Sequence, residues 1–220
     1  MNAHYLDDGL SDEALDAFFE NCFQDIIDDR QLHPAWACMD CRDVNYGEKP
    51  GTCTRCDGDR LYQIATFQGR GSATGNIFQD AVLHVFERFF SQVGVISSRE
   101  SDFRDSCDFF VPNVAGIEAK GSPAHVTLPI GKKVILGRPG MRRTDTEKKA
   151  NSNAVTFKQD HERSDVRFYV LSNALPDGWH EEHSAIDGIF DVTSLKDWKE
   201  LVYDLDVDKK RASRIRRGRR

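Results

Sequence analysis

Asp108, Glu118 and Lys120 fall within one short stretch, SCDFFVPNVAGIEAKGSP (106–123), at spacings that suit phosphodiester hydrolysis. The stretch reads as two strands, Asp108–Val111 and Ile117–Lys120, joined by the turn PNVAG. Side chains alternate along a strand, so Glu118 and Lys120 share one face. A turn centred near Asn113–Val114 sets Asp108 across from that pair. One hairpin thereby gathers two carboxylates and an amine. Such carboxylates can hold Mg2+, which polarises a phosphate and lowers the pKa of a bound water. The lysine can position that water and offset the charge that develops in the transition state.

A second constellation lies upstream. Cys38-x2-Cys41 and Cys53-x2-Cys56 present four thiolates at a spacing that fits tetrahedral coordination, with zinc ahead of iron on ligand type. Gly47, Pro50, Gly51 and Gly58 supply the tight turns around it. The local sequence WACMDC…YGEKPGTCTRC resembles zinc ribbons and rubredoxin-like knuckles. A closed four-thiolate set leaves no position for substrate, so the ion is structural. It either presents a surface to DNA or staples a module too small to hold a core. The remaining cysteines, Cys22 and Cys107, read as plain buried residues.

Regular elements must position these groups. Ser11 can cap a helix running to about Asp29, with Leu15, Phe18, Phe19, Cys22, Phe23, Ile26 and Ile27 as its apolar face. Leu61 to Phe67 is a short strand, and GRGSATG (69–75) reads as a hinge or loop. From Asn76, residues Ile77, Phe78, Ala81, Val82, Val85, Phe86, Phe89, Phe90 and Val93 make a helical stripe, with Asp80, His84 and Glu87 opposite. Downstream, Val126–Leu128, Lys133–Leu136, Arg167–Ser172 and Asp187–Val192 read as strands and Glu147–Gln159 as a helix. Ser194 with Asp197 signals a last helix through Leu205.

Asp, about nine residues, then Glu-x-Lys after a helix resembles the PD-(D/E)xK restriction-endonuclease-like superfamily. The resemblance covers roughly residues 75–205. It implies an α/β fold, a mixed sheet flanked by helices, here preceded by a small zinc ribbon. It also implies that Asp108 and Glu118 are the metal-binding acids and Lys120 the catalytic lysine. The family often places a Glu on its first core helix, near the metal. Here GNIFQDAV puts Gln79 there, on the border of the apolar stripe, while Asp80 points away. Gln for Glu lowers the negative charge of the site, and Cys107 stands where the nominal Pro would be.

The chain of 220 residues carries a net charge of -6, but residues 209–220 hold eight Lys or Arg and no acid, which leaves -14 on the rest. So acidic a body must meet DNA through local basic elements: Lys132, Lys133, Arg138, Arg142 and Arg143 as a phosphate-gripping loop, and the basic tail. Lys148, Lys149, Asn151, Asn153 and Lys158 could add contacts or read bases. The division that follows is an acidic helix over 1–33, a zinc-ribbon module over 34–68, a nuclease domain over 69–208 and a disordered basic tail over 209–220. No apolar run approaches the ~20 residues of a membrane span, and a cytoplasmic protein is expected. GRGSATG lacks dinucleotide-loop spacing, and His180-Glu-Glu-His183 is one residue short of a zincin motif. His125 reads as a hydrogen-bonded bystander.

These readings lead to a Mg2+-dependent endonuclease on DNA, restriction-like or serving repair or junction resolution. Double-strand cutting needs two active sites, which a homodimer would supply. The rival is a non-catalytic zinc-ribbon adaptor that binds nucleic acid. Only the nuclease requires Asp108, Glu118 and Lys120 to converge.

Overall fold

The computed structural model describes residues 9–24, 34–46, 49–65, 67–99, 101–103, 106–128, 130–135, 139–142, 144–160, 166–175 and 185–218. Helix α1 (Asp12–Cys22) precedes an antiparallel sheet of β1 (Pro34–Cys38), β2 (Val44–Tyr46) and β3 (Leu61–Ala65), ordered β2-β1-β3. Next come α2 (Phe67–Phe89), β4 (Ile96–Ser97), β5 (Phe109–Val111) and β6 (Ala115–Ala119). A hairpin of β7 (His125–Thr127) and β8 (Lys133–Ile135) leads to α3 (Thr144–Asp160), β9 (Arg167–Ser172), β10 (Gly188–Asp191) and α4 (Leu195–Gly218). The main sheet is ordered β10-β9-β6-β5-β4. Its β4, β5 and β6 are antiparallel neighbours, whereas β9 runs parallel to both β6 and β10. The chain is therefore α/β, with a mixed five-stranded sheet flanked by helices and a four-cysteine cluster ahead of it.

Alternation along the strands decides which helix covers which face. Phe109, Val111, Ile117, Ala119, Tyr169 and Leu171 join the core formed with α2 and α4. Phe168 and Val170 point the other way, onto Ala150, Ala154 and Phe157 of α3. Gly116 lets α3 approach β6, because a Cβ there would lie 2.9 Å from the Phe157 ring. Ser11 caps α1, its Oγ accepting from the Ala14 N–H at 3.1 Å. Leu15, Phe18, Phe19 and Phe23 pack into the same core as Phe78 of α2 and Ala35, Ala37 and Ile64 of the small sheet. Among the described residues, no helix is long and apolar enough to cross a membrane.

Three expectations change. GRGSATG is no hinge: α2 begins at Phe67 and runs through it. Its glycines cost helix propensity, yet propensity is a weak prior that burial overrides, and Thr74 and Phe78 are both buried. The basic segment is no disordered tail, because α4 continues to Gly218. Neither Gly nor Pro interrupts residues 206–217, and Lys209 Nζ donates to the carbonyls of Gln92 (3.3 Å) and Val93 (2.9 Å). His84, expected on a polar face, stacks on Phe18 with centroids 5.7 Å apart. The expected end of the first helix near Asp29, with Ile26 and Ile27, lies outside the described residues, as do Arg138, Arg143 and His180–His183.

Gly121, next to Lys120, sits against Phe78, and a Cβ there would fall inside the ring's envelope. Phe78 cannot yield easily, being stacked on Phe23 (5.9 Å, 8°) and tilted against Phe19 (5.5 Å). Gly121→Ala is expected to cost about 1–3 kcal/mol by overpacking, read as a lowered urea midpoint at unchanged m-value.

Candidate active site

The β5–β6 hairpin brings the candidate residues together at one end of the main sheet. Its turn carries Asn113 at φ 60, and its register pairs Phe109 with Ile117. Asp108, just before β5, donates its N–H to the Ile117 carbonyl at 3.0 Å. Its Oδ2 accepts from the Ala119 N–H at 2.8 Å. Glu118 is 1% exposed, and its Oε1 takes the Lys120 ammonium. Gln79 reaches the same cluster from α2, donating from Nε2 to Asp108 Oδ1 at 2.6 Å. Asp80 instead pairs with Arg99 at 2.7 Å.

Helix α3 supplies a residue whose role was missed in the sequence. Asn153 Nδ2 donates to Glu118 Oε1 at 2.9 Å, so it holds a carboxylate rather than awaiting a base. Two residues of strand and four of helix both advance about 6 Å. Phe157 over Gly116 therefore sets Asn153 over Glu118. That i, i+4 pair beside the buried Ala150–Ala154 stripe was the available signal. Asn151 and Lys158 have partners of their own: Asn151 Oδ1 accepts from the Ala185 N–H at 2.8 Å, and Lys158 pairs with Asp187 at 2.7 Å.

Burial sets the charge states. It pushes the Asp108 carboxyl up, against the pull of Lys120, the Ala119 N–H, Arg99 and Lys149. It pushes Glu118 up to about 7, helped by the Asp108 charge and opposed by Lys120 and Asn153. Burial alone would lower Lys120, but the Glu118 and Asp108 charges more than offset it, and the ammonium is held above its usual range. Cys107 is buried beside the site, its thiol pushed up to about 12 by burial and by the two carboxylates, which leaves it inert.

A carboxyl raised above its unfolded value binds protons more tightly when folded, so stability falls as pH rises between the two values. For Glu118 the window runs from 4.5 to about 7. Zinc-loaded protein without Mg2+ is expected to lose up to about 3 kcal/mol across it. Glu118→Gln is expected to flatten this part of the slope. Parallel pH curves for the two proteins would refute this.

The expected basic loop divides. Lys133 pairs with Glu20 of α1 at 3.2 Å, beside the contact of His125 Nε2 with Glu20 at 2.7 Å. Lys132 is exposed at the hairpin turn, its charge acting on Asp40. Arg142 lies at the site's end of the sheet in a short turn anchored by Gly140 N–H to Ser122 Oγ (2.9 Å) and Met141 N–H to the Ala174 carbonyl (3.0 Å).

The four cysteines form a separate cluster, their Sγ atoms within 4.8 Å of one another. Cys38 and Cys56 lie 3.6 Å apart, as do Cys41 and Cys53. A tetrahedron with metal–sulfur bonds of about 2.3 Å has edges of about 3.8 Å, so the set can hold an ion such as zinc. The two turns repeat one pattern. Asp40 and Arg55 N–H groups each reach a sulfur at 3.4 Å, and Arg42 and Asp57 close the turns at φ 65 and 58. Residues 34–65 hold four basic and five acidic side chains. Four thiolates around a divalent ion would add two negative charges to this segment.

Comparison with known proteins adds no relative: no family model matches the chain, and neither a curated protein nor a solved structure is significantly similar to it.

Proposed function

We propose that this chain is a Mg2+-dependent endonuclease of the PD-(D/E)xK type that hydrolyses DNA phosphodiester bonds. The observation that carries the reading is the convergence of Asp108, Glu118 and Lys120, Glu118 buried and the other two half-buried, steadied by Gln79 and Asn153. A non-catalytic adaptor has no use for two carboxylates desolvated side by side, an arrangement that costs stability. The mixed sheet flanked by helices, in the order helix, Asp strand, turn, Glu-x-Lys strand, agrees with a restriction-endonuclease-like core.

The donor set fits a hard divalent cation, being oxygen-rich and anionic. Asp108 and Glu118 would hold Mg2+, which when bound supplies positive charge at the phosphate and makes water more acidic. The chain's own groups do the rest. Lys120 stays protonated, so it acts as donor and charge, orienting the nucleophilic water and offsetting the growing negative charge on the phosphate. Ala119 N–H and Gln79 keep Asp108 in place, and Asn153 keeps Glu118 in place. Arg99, Lys149 and Arg142 provide local positive charge in an acidic body. The product would carry a 5′-phosphate, and a homodimer would cut both strands. The cysteine cluster is read as a zinc ribbon, and the cytoplasm, where thiols stay reduced, as the setting.

The test is incubation of supercoiled plasmid with the zinc-loaded protein and Mg2+, with EDTA and RNA controls. Nicking or linearisation that requires Mg2+ supports the reading. Plasmid binding without cleavage would move it to the adaptor, and cleavage of RNA alone would correct the substrate.

A further inference from the structure

Gln79 stands between two partners of fixed character. Its Nε2 donates to Asp108 Oδ1 at 2.6 Å, and its Oε1 accepts from Arg99 Nη2 at 3.3 Å. A guanidinium only donates and an ionised carboxylate only accepts, so the amide has one favourable orientation. Turning it over would set NH2 against guanidinium and oxygen against carboxylate. Arg99 is itself held, by the Asn76 carbonyl at 3.3 Å and by Asp80 at 2.7 Å.

The one atom of Gln79 able to ligate a hard cation, Oε1, is therefore turned toward Arg99. We propose, resting on the nuclease reading above, that Gln79 is a positioning residue for Asp108 and that its neutrality limits the site to a single divalent ion. Two features agree with this. Asp108 and Glu118 offer two negative charges with Lys120 already beside them, and on the Gln79 side the Arg99 guanidinium, itself paired with Asp80, occupies the Oε1 that a second cation would need. Gln79→Glu keeps the size and the Arg99 contact but sets a third carboxylate beside Asp108.

Calorimetric titration of the zinc-loaded full chain with Mn2+ tests this without substrate, and Asp108→Asn identifies binding that belongs to the site. Wild type is expected to take one Asp108-dependent ion and Gln79→Glu two. Gln79→Ala is expected to keep one ion while kcat falls about tenfold at unchanged KM, as expected for lost positioning. Two ions on wild type, or one on Gln79→Glu, would overturn the proposal and leave the nuclease reading standing. No Asp108-dependent ion on wild type would sink that reading, and this proposal with it.

Discussion

Lys120→Ala is expected to slow Mg2+-dependent plasmid cleavage by about 10²–10³-fold or more, the cost of removing one preorganised charged donor from a transition state. Duplex affinity measured in Ca2+ should change only a few-fold, because one cation among several phosphate contacts contributes little to binding. The lysine is half-buried and paired with Glu118, and its charge also favours the ionised form of Asp108. Its loss leaves them uncompensated, so stability also falls, and breaking a buried pair costs about 3–5 kcal/mol. Two controls separate chemistry from folding. Lys120→Arg keeps the charge but replaces a compact ammonium with a planar fork, and it should remain folded yet slow. Thermal melts of both variants with Ca2+ show whether the carboxylates still take the ion. Cleavage within threefold of wild type by a folded Lys120→Ala protein would remove lysine from the mechanism.

The second large effect lies away from the chemistry. Cys38→Ser is expected to abolish stoichiometric zinc and to lower the melting temperature by roughly 10 °C or more, since structural zinc contributes about 10–16 kcal/mol in isolated modules. Cys38 ends β1, the central strand of the small sheet. That sheet shares its apolar face with α1 and Phe78, and Phe78 presses on Gly121 beside the candidate lysine. Losing the ion should therefore loosen the lysine as well, and activity should fall although no cysteine ligand touches the site. Metal content by mass spectrometry, paired with melting curves before and after chelation, checks both parts. A chelated protein that melts like the loaded one would mean the module stands without its ion.

Much of this was legible in the residues themselves. Period-2 alternation placed Glu118 and Lys120 on one face, and turn chemistry near Asn113 placed Asp108 opposite, because hairpin register is a local property. The Cys-x2-Cys pairs were equally local, each turn presenting two sulfurs to one centre. Helical spacing located the buried stripe of α2, but not where that helix starts, since three glycines looked like a break and tertiary packing outweighed them. Partners distant in the chain came only from the fold. Asn153 meets Glu118 because Gly116 admits Phe157; the i, i+4 spacing of Asn153 and Phe157 puts both on one helix face, but only the fold shows which strand that face meets. Lys133 is claimed by Glu20, more than a hundred residues away, so a charge that looked free for phosphate is already paired. Sequence by itself determined which groups exist and which lie within one hairpin or turn. Tertiary structure decided their hydrogen bonds and charge states, because desolvation and long-range pairing depend on which surfaces the packed helices bring together.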